Sequence, residues 1–416
     1  MSNEASLRDG QSAYKTRVLR VDPSRAGCLK ARPGRFSSQD DLQVEWHRDT
    51  VDYESLTTAV DLLHNTDVPV AFPTETVYGL GADATRTGAV QGIYTAKQRP
   101  SDNPLIVHVC SLKQLRRLLP PSNGGDDYEP IPKIYRALIQ RFWPGPLTII
   151  LPTTDQSEWR LSPFTTAKLH TFGARMPSSP LALLLLKLCD LPLAAPSANA
   201  STRPSPTLAE HVFEDLNGRI QLILDGGPSN VGVESTVVDG LSDGGPVVLR
   251  PGGVSVAMLR ECEGWENVRV AYKDKAEGDT EENDQAISRS MPRAPGMKYR
   301  HYSPRAKVVL FEPGATAPSI PDLKSADSSK GIGIIRTKAW DMDTILRSGS
   351  SEDVALWDVD IGPGMEDIAR GLFAAFRELD QKQVDTILVE GIDSTDDTLA
   401  GAIMNRVRKA AELKIS

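Results

Sequence analysis

The sequence lacks any run of about 18 apolar residues, the length needed to span a bilayer. Its most apolar stretch, Leu181 to Leu188, contains Lys187 and follows Pro180, so it reads as a buried helix and no membrane span is expected. Cysteine is scarce: Cys28, Cys110, Cys189 and Cys262 lie far apart. That spacing excludes a CxxC metal or redox pair, argues against a disulfide framework, and fits a reduced intracellular setting. Aromatic residues make up only 6% of the chain, which gives no sign of a base-stacking platform. Basic residues are outnumbered, 47 Lys and Arg against 55 Asp and Glu, for a formal charge of −8. A protein that coats nucleic acid nonspecifically needs the opposite balance, although a local basic cleft is compatible with it.

Familiar nucleotide and catalytic motifs are missing too. Gly227 and Gly232 are spaced like a P-loop, but Val233 and Glu234 stand where the phosphate-binding Lys and the magnesium-binding Ser or Thr would be. Gly331-Ile-Gly333 has no third glycine, neither HExxH nor GxSxG occurs, and the six histidines have no metal-like spacing. A nucleotide site must therefore be built some other way, and no structural metal is expected.

What is present is the ordinary composition of a globular protein, 40% hydrophobic and 25% charged over 416 residues, a length that suggests two or three domains. Arg17 to Val21 reads as a short strand and Ala26 to Asp41 as a loop. From Val51 onward, β-rich apolar stretches alternate with helical patterns: helix Tyr53–His64, strand Val68–Phe72, helix Thr87–Lys97, strand Leu105–Val109 and helix Ser111–Leu119. The alternation continues to strand Val247–Leu249 and predicts an α/β or α+β domain. Between Lys273 and Asp284 the chain turns acidic and loses apolar residues, as a solvated linker does. A second alternation then runs from strand Lys307–Phe311 to a helix over Thr398–Leu413, predicting a small Rossmann-like domain. The expected division is an N-terminal extension over 1–50, a catalytic domain over 51–270, a linker over 271–305 and the Rossmann-like domain over 306–416. Basic residues near the start invite a mitochondrial-leader reading, but Glu4, Asp9 and Asp22 interrupt them, so a cytoplasmic location is favoured.

Chemistry concentrates where strands end. Pro73 to Ala84 runs from a strand into a turn with Thr74, Thr76 and Tyr78, which can aim hydroxyls and backbone N–H groups at a small polar ligand. Lys97 and Arg99 close a helix stopped by Pro100; in isolation such cations often only complement the helix dipole. The pattern recurs, however, with Arg175 and Arg250 at strand ends and a small polar turn at Ser197-Ala-Asn199. Cations converging at the ends of sheet strands suit an anionic ligand such as a triphosphate or a carboxylate.

These segments resemble the threonylcarbamoyl-AMP synthase family, whose core is the YrdC-like domain. The resemblance rests on PTETVYGLGADA from Pro73, KQRPSDNPLIVHV from Lys97, FWPGPLT from Phe142, FGARMP from Phe172, APSAN from Ala195, VESTVVD from Val233 and LRPGG from Leu249. APGMKYRHYSP from Ala294 and AIMNRVRKAAE from Ala402 match the longer, two-domain branch. The resemblance implies a twisted mixed sheet with helices and an enzyme that consumes L-threonine, bicarbonate and ATP. Threonine's amine captures carbon dioxide, the carbamate attacks the α-phosphorus, pyrophosphate leaves, and the product passes to a tRNA threonylcarbamoyl transferase. By the same resemblance Lys97, Arg99, Ser197 and Asn199 are catalytic. Arg99, Asn103, Thr171, Ser197, Ser205, Arg250 and Tyr302 surround ATP, while Tyr78, His108, Arg175, Ala195 and Ser235 surround threonine. Magnesium is expected to ride on the phosphates. Because carbamate and mixed anhydride are both water-sensitive, Met297 to Pro304 is expected to fold over the cleft and bring Tyr302 to the nucleotide. Two other readings compete. An RNA-binding module is disfavoured by the net charge, and a hydrogenase-maturation carbamoyl transferase, built on a related domain, would carry CxxC zinc fingers that are absent here.

Overall fold

The computed structural model describes residues 14–30, 40–121, 129–271, 301–318, 331–343, 355–394 and 398–416. The acidic run after Lys273 and the linker up to Arg300 lie outside these residues. Numbered along the chain, the first thirteen strands are β1 (Arg17–Arg20), β2 (Gly27–Lys30), β3 (Gln43–Trp46), β4 (Val70–Phe72), β5 (Gly79–Asp83), β6 (Ile106–His108), β7 (Leu147–Pro152), β8 (Thr171–Arg175), β9 (Leu193–Ala194), β10 (Leu222–Asp225), β11 (Thr236–Asp239), β12 (Val247–Arg250) and β13 (Arg269–Val270). The C-terminal region adds β14 (Lys307–Phe311), β15 (Ile332–Arg336), β16 (Leu356–Asp360), β17 (Thr386–Glu390) and β18 (Leu413–Ile415).

Eleven strands form one mixed sheet in the order β1-β10-β4-β5-β9-β6-β8-β7-β11-β12-β13. Its strands β4 and β6, Val-Ala-Phe and Ile-Val-His, are buried from end to end, as strands covered on both faces are. The Pro180–Cys189 helix carries leucines on almost every face and starts with proline after a Ser179 cap, the sequence signal for a buried helix start. It packs against the Val51–Asn65 helix.

The C-terminal strands form a five-stranded sheet, β16-β15-β17-β14-β18, in which every pairing is parallel, as the doubly wound reading requires. Helices Met365–Gln381 and Leu399–Ala410 bury Ile368, Leu372 and Phe376 against Ile403 and Val407 in its core. That core also contains Val77 and Val233 from the first domain, so the two domains share apolar packing.

Three expectations are corrected. β1 pairs in parallel with β10, so part of the segment expected as an extension belongs to the large sheet. β2 lies in the stretch read as a loop and pairs with β3 as an antiparallel ribbon. The last helix stops at Ala410, and the chain then adds β18 beside β14.

Candidate active site

The site is assembled from strand ends that the sheet brings to one edge. His108 closes β6 and Arg175 closes β8; the parallel register places the two opposite each other. Arg250 closes β12. After β9 the chain turns through Ala195 to Asn199, and Ser197 makes an antiparallel bridge with Gly79. Between β4 and β5, the Thr74 hydroxyl bonds Val77 O at 2.6 Å and Thr76 Oγ1 at 2.8 Å, which fixes the turn. Together these ends line a cavity of about 160 Å³.

Of the residues named from the sequence, the lining contains Lys97, Arg99, Asn103, His108, Arg175, Ala195, Ser197, Asn199, Ser205, Ser235, Arg250 and Tyr302. Tyr78 and Thr171 fall outside it. The Tyr78 phenol leaves toward β10, where it donates to Gly227 O at 2.7 Å and Asp225 Oδ1 at 3.3 Å. Its backbone carbonyl nevertheless anchors the polar turn by accepting the Ala198 N–H at 2.8 Å. Thr171 opens β8, at the far end of that strand from Arg175.

Lys97 ends the Thr87–Lys97 helix, and Gln98 adopts a left-handed φ of 52° that turns the chain back. Its ammonium is committed to the neighbouring turn, donating to Ser197 O, to Asn199 O at 2.6 Å and to Asn199 Oδ1 at 3.5 Å. Asn199 Nδ2 in turn donates to Ala200 O at 2.8 Å and Arg203 O at 3.0 Å. Lys97 therefore shapes the Ser197–Asn199 turn as well as carrying charge. Its burial, and then the Arg99 guanidinium, hold its pKa well below the usual lysine range, and an arriving anion would raise it again.

On the other wall, Arg175 Nη2 pairs with Glu75 at 2.6 Å while Nη1 donates to Thr76 Oγ1 at 2.9 Å. His108 meets Ile106 O through Nδ1 at 3.2 Å; burial and the Arg175 charge push it down to about 3. The imidazole is neutral at physiological pH, fit to orient a polar group. Arg250 grips Ser235 O through Nε at 3.1 Å and Nη2 at 2.9 Å, and the Ser235 hydroxyl bonds Thr148 Oγ1 at 2.8 Å.

Sequence reasoning missed Glu234, Arg203 and His301, all part of the lining. Glu234, which departs from a P-loop in the sequence, accepts the Ser205 hydroxyl at 2.6 Å and the Arg406 Nε at 3.1 Å. Arg203 pairs with Asp215 and with Asp380, both at 3.2 Å. His301 and Tyr302 precede the C-terminal domain, and Tyr302, buried with φ 67°, stacks on Phe373 with ring centroids 5.3 Å apart. Among the described residues no group of three or more His, Cys, Asp or Glu could hold a metal ion. No described helix is long and apolar enough to cross a membrane.

Residues 63–252 match a family described as telomere recombination, and residues 254–412 match one described as threonylcarbamoyl-AMP synthase, C-terminal domain. The chain is 48% identical to the threonylcarbamoyl-AMP synthase of Schizosaccharomyces pombe, over 86% of this chain and 88% of that one. It is 41% identical to the enzyme of that name from Pyrococcus abyssi, over 83% and 91%. Among solved structures, Pyrococcus abyssi Sua5 in complex with L-threonine superposes with a TM-score of 0.69 at 34% identity, covering 96% of this chain and 100% of that one.

Proposed function

This chain belongs to the threonylcarbamoyl-AMP synthase family in its two-domain form, and from that premise we propose how its cleft joins L-threonine, bicarbonate and ATP. The activity is nucleotidyl transfer to make threonylcarbamoyl adenylate for tRNA modification. One observation carries the assignment of roles: Lys97, Arg99, Arg175 and Arg250 face a single small cavity together with a neutral imidazole and the Ser197–Asn199 turn.

Arg175, His108, Ala195 and Ser235 form the threonine subsite. The planar guanidinium of Arg175 suits a carboxylate, and neutral His108 and the Ser235 hydroxyl can direct the amine and side-chain hydroxyl. Threonine's amine lone pair attacks the carbon of carbon dioxide released from bicarbonate, an N–H proton leaves, and a carbamate forms. A carbamate oxygen then attacks the α-phosphorus of ATP, and the bond to the pyrophosphate oxygen breaks. Because this is displacement at phosphorus, positioning and charge neutralisation supply most of the catalysis. Lys97 and Arg99 take the phosphates and the developing charge, with Asn103, Ser205, Arg250 and Tyr302 around the rest of ATP. Tyr78 acts through its backbone on the turn.

Among the described residues no group of three or more His, Cys, Asp or Glu could hold a metal; on this reading magnesium rides on the triphosphate oxygens, where it neutralises charge. Of the Met297 to Pro304 stretch, the described residues His301 and Tyr302 line the cavity, and on this reading the buried Tyr302 ring closes that side over the nucleotide. We further place the reaction in a reducing, cytoplasmic setting, consistent with four free thiols, and take a tRNA threonylcarbamoyl transferase as recipient of the product. Pyrophosphate release that requires both threonine and bicarbonate tests these roles. Arg175→Met should raise the threonine KM by about 100-fold, the loss of one buried charge-assisted pair of about 3 kcal/mol. An unchanged threonine KM would remove Arg175 from the subsite.

A further inference from the structure

Arg406 of the C-terminal domain reaches the cavity wall through a carboxylate of the first domain. Glu234 sits in the cavity wall, one oxygen accepting the Ser205 hydroxyl at 2.6 Å and the other accepting Arg406 Nε at 3.1 Å. Arg406 is fully buried on the Leu399–Ala410 helix, and its guanidinium lies 5.8 Å from the centre of the Tyr302 ring. A carboxylate held ionised by an arginine can only accept hydrogen bonds, so the Ser205 proton is committed to it and the hydroxyl oxygen shows only lone pairs to a ligand. Lone pairs beside a carboxylate repel phosphate; the group they suit is a donor, a ribose hydroxyl or the exocyclic amine of adenine.

We propose that Arg406 and Glu234 form a cross-domain positioning pair that fixes the Ser205 hydroxyl as an acceptor for the nucleoside part of ATP. The C-terminal domain thereby sets nucleotide recognition from outside the catalytic domain, without touching substrate. The pair rests on the reading of Ser205 as an ATP residue, and one set of measurements separates failure of either.

Equilibrium binding of ATP, pyrophosphate and L-threonine is measured on the full chain and on Ser205→Ala, Glu234→Gln, Arg406→Met, Arg406→Lys and the Glu234→Gln/Arg406→Met double variant. Arg406→Met and Glu234→Gln should each weaken ATP by about tenfold, within the usual range of coupling between sites, with pyrophosphate and threonine affinities within about twofold of the parent. The double variant should be no weaker than the worse single one, and Arg406→Lys should recover part of the loss. Equal losses for all three ligands, or additive losses in the double variant, would overturn the pair. If Arg406→Met does not fold, the near-isosteric Glu234→Gln carries the same comparison. Unchanged ATP affinity in Ser205→Ala would instead overturn the reading of Ser205.

Discussion

At the residue scale the site is set by side chains already engaged before substrate arrives. Lys97 was legible as a cation, but its grip on the Ser197–Asn199 turn was not, because the partners are backbone carbonyls a hundred residues away. Lys97→Ala should abolish threonine-dependent pyrophosphate formation and cost about 1–3 kcal/mol of stability by stranding those carbonyls; near-parental turnover would remove it from the chemistry. The histidines give a pH prediction. Burial lowers His108 and His301 to about 3 and His211 to about 4, whereas the unfolded groups titrate near 6.5. Below that value the unfolded chain takes up protons that the folded chain refuses, so stability falls as pH drops from about 6.5 toward 4. Each imidazole contributes about 1.4 kcal/mol per pH unit. Urea midpoints between pH 7 and pH 5 check this. His211→Gln, outside the cleft, should flatten the slope; a slope identical to the parent's would contradict it.

Among elements, the alternating pattern after Val51 was readable because buried strands and helices here are locally consistent. The buried helix after Pro180 announced itself in the same way. The β2–β3 ribbon and β18 did not: they are short and exposed in part, and their pairing and a few apolar contacts, from Leu29, Val44, Trp46 and Ile415, hold them. β1 joins β10 some two hundred residues away, which no local pattern encodes. The Gly227–Gly232 segment shows the same limit. Its spacing could be dismissed as a P-loop from sequence, yet its purpose is to admit a neighbour. A Cβ on Gly232, at φ +80°, would meet Ala369 O at 2.3 Å, while one on Gly227, at φ +85°, would meet nothing within 4 Å. Gly227→Ala should therefore cost only the left-handed backbone penalty of about 1–2 kcal/mol. Gly232→Ala should cost more and push the Met365–Gln381 helix off the first domain. Equal urea midpoints for the two variants would contradict this contact.

On the scale of the whole molecule, the charges legible as anion ligands are only part of the picture, because equally buried charges weld the domains. Arg377, fully buried, pairs with Asp215 at 2.8 Å and donates to Pro204 O at 2.5 Å. Asp380 accepts the backbone N–H of Arg305 at 2.8 Å, tying down the chain just after Tyr302. The local sequence around Arg377 gives no sign of this partner, because Asp215 lies across the domain boundary and far away in the chain. Arg377→Met leaves Asp215 buried with less compensation and should cost about 3–5 kcal/mol, splitting unfolding into two transitions; a single transition at the parental midpoint would contradict the weld. The reaction itself is tested most directly by incubating the full chain with ATP, L-threonine and carbon-13 bicarbonate and following products by mass. The cleft described above predicts a threonylcarbamoyl adenylate carrying the label in its carbamoyl carbon, one pyrophosphate per adenylate. ATP consumed without a labelled adenylate, or an adenylate without label, would contradict it.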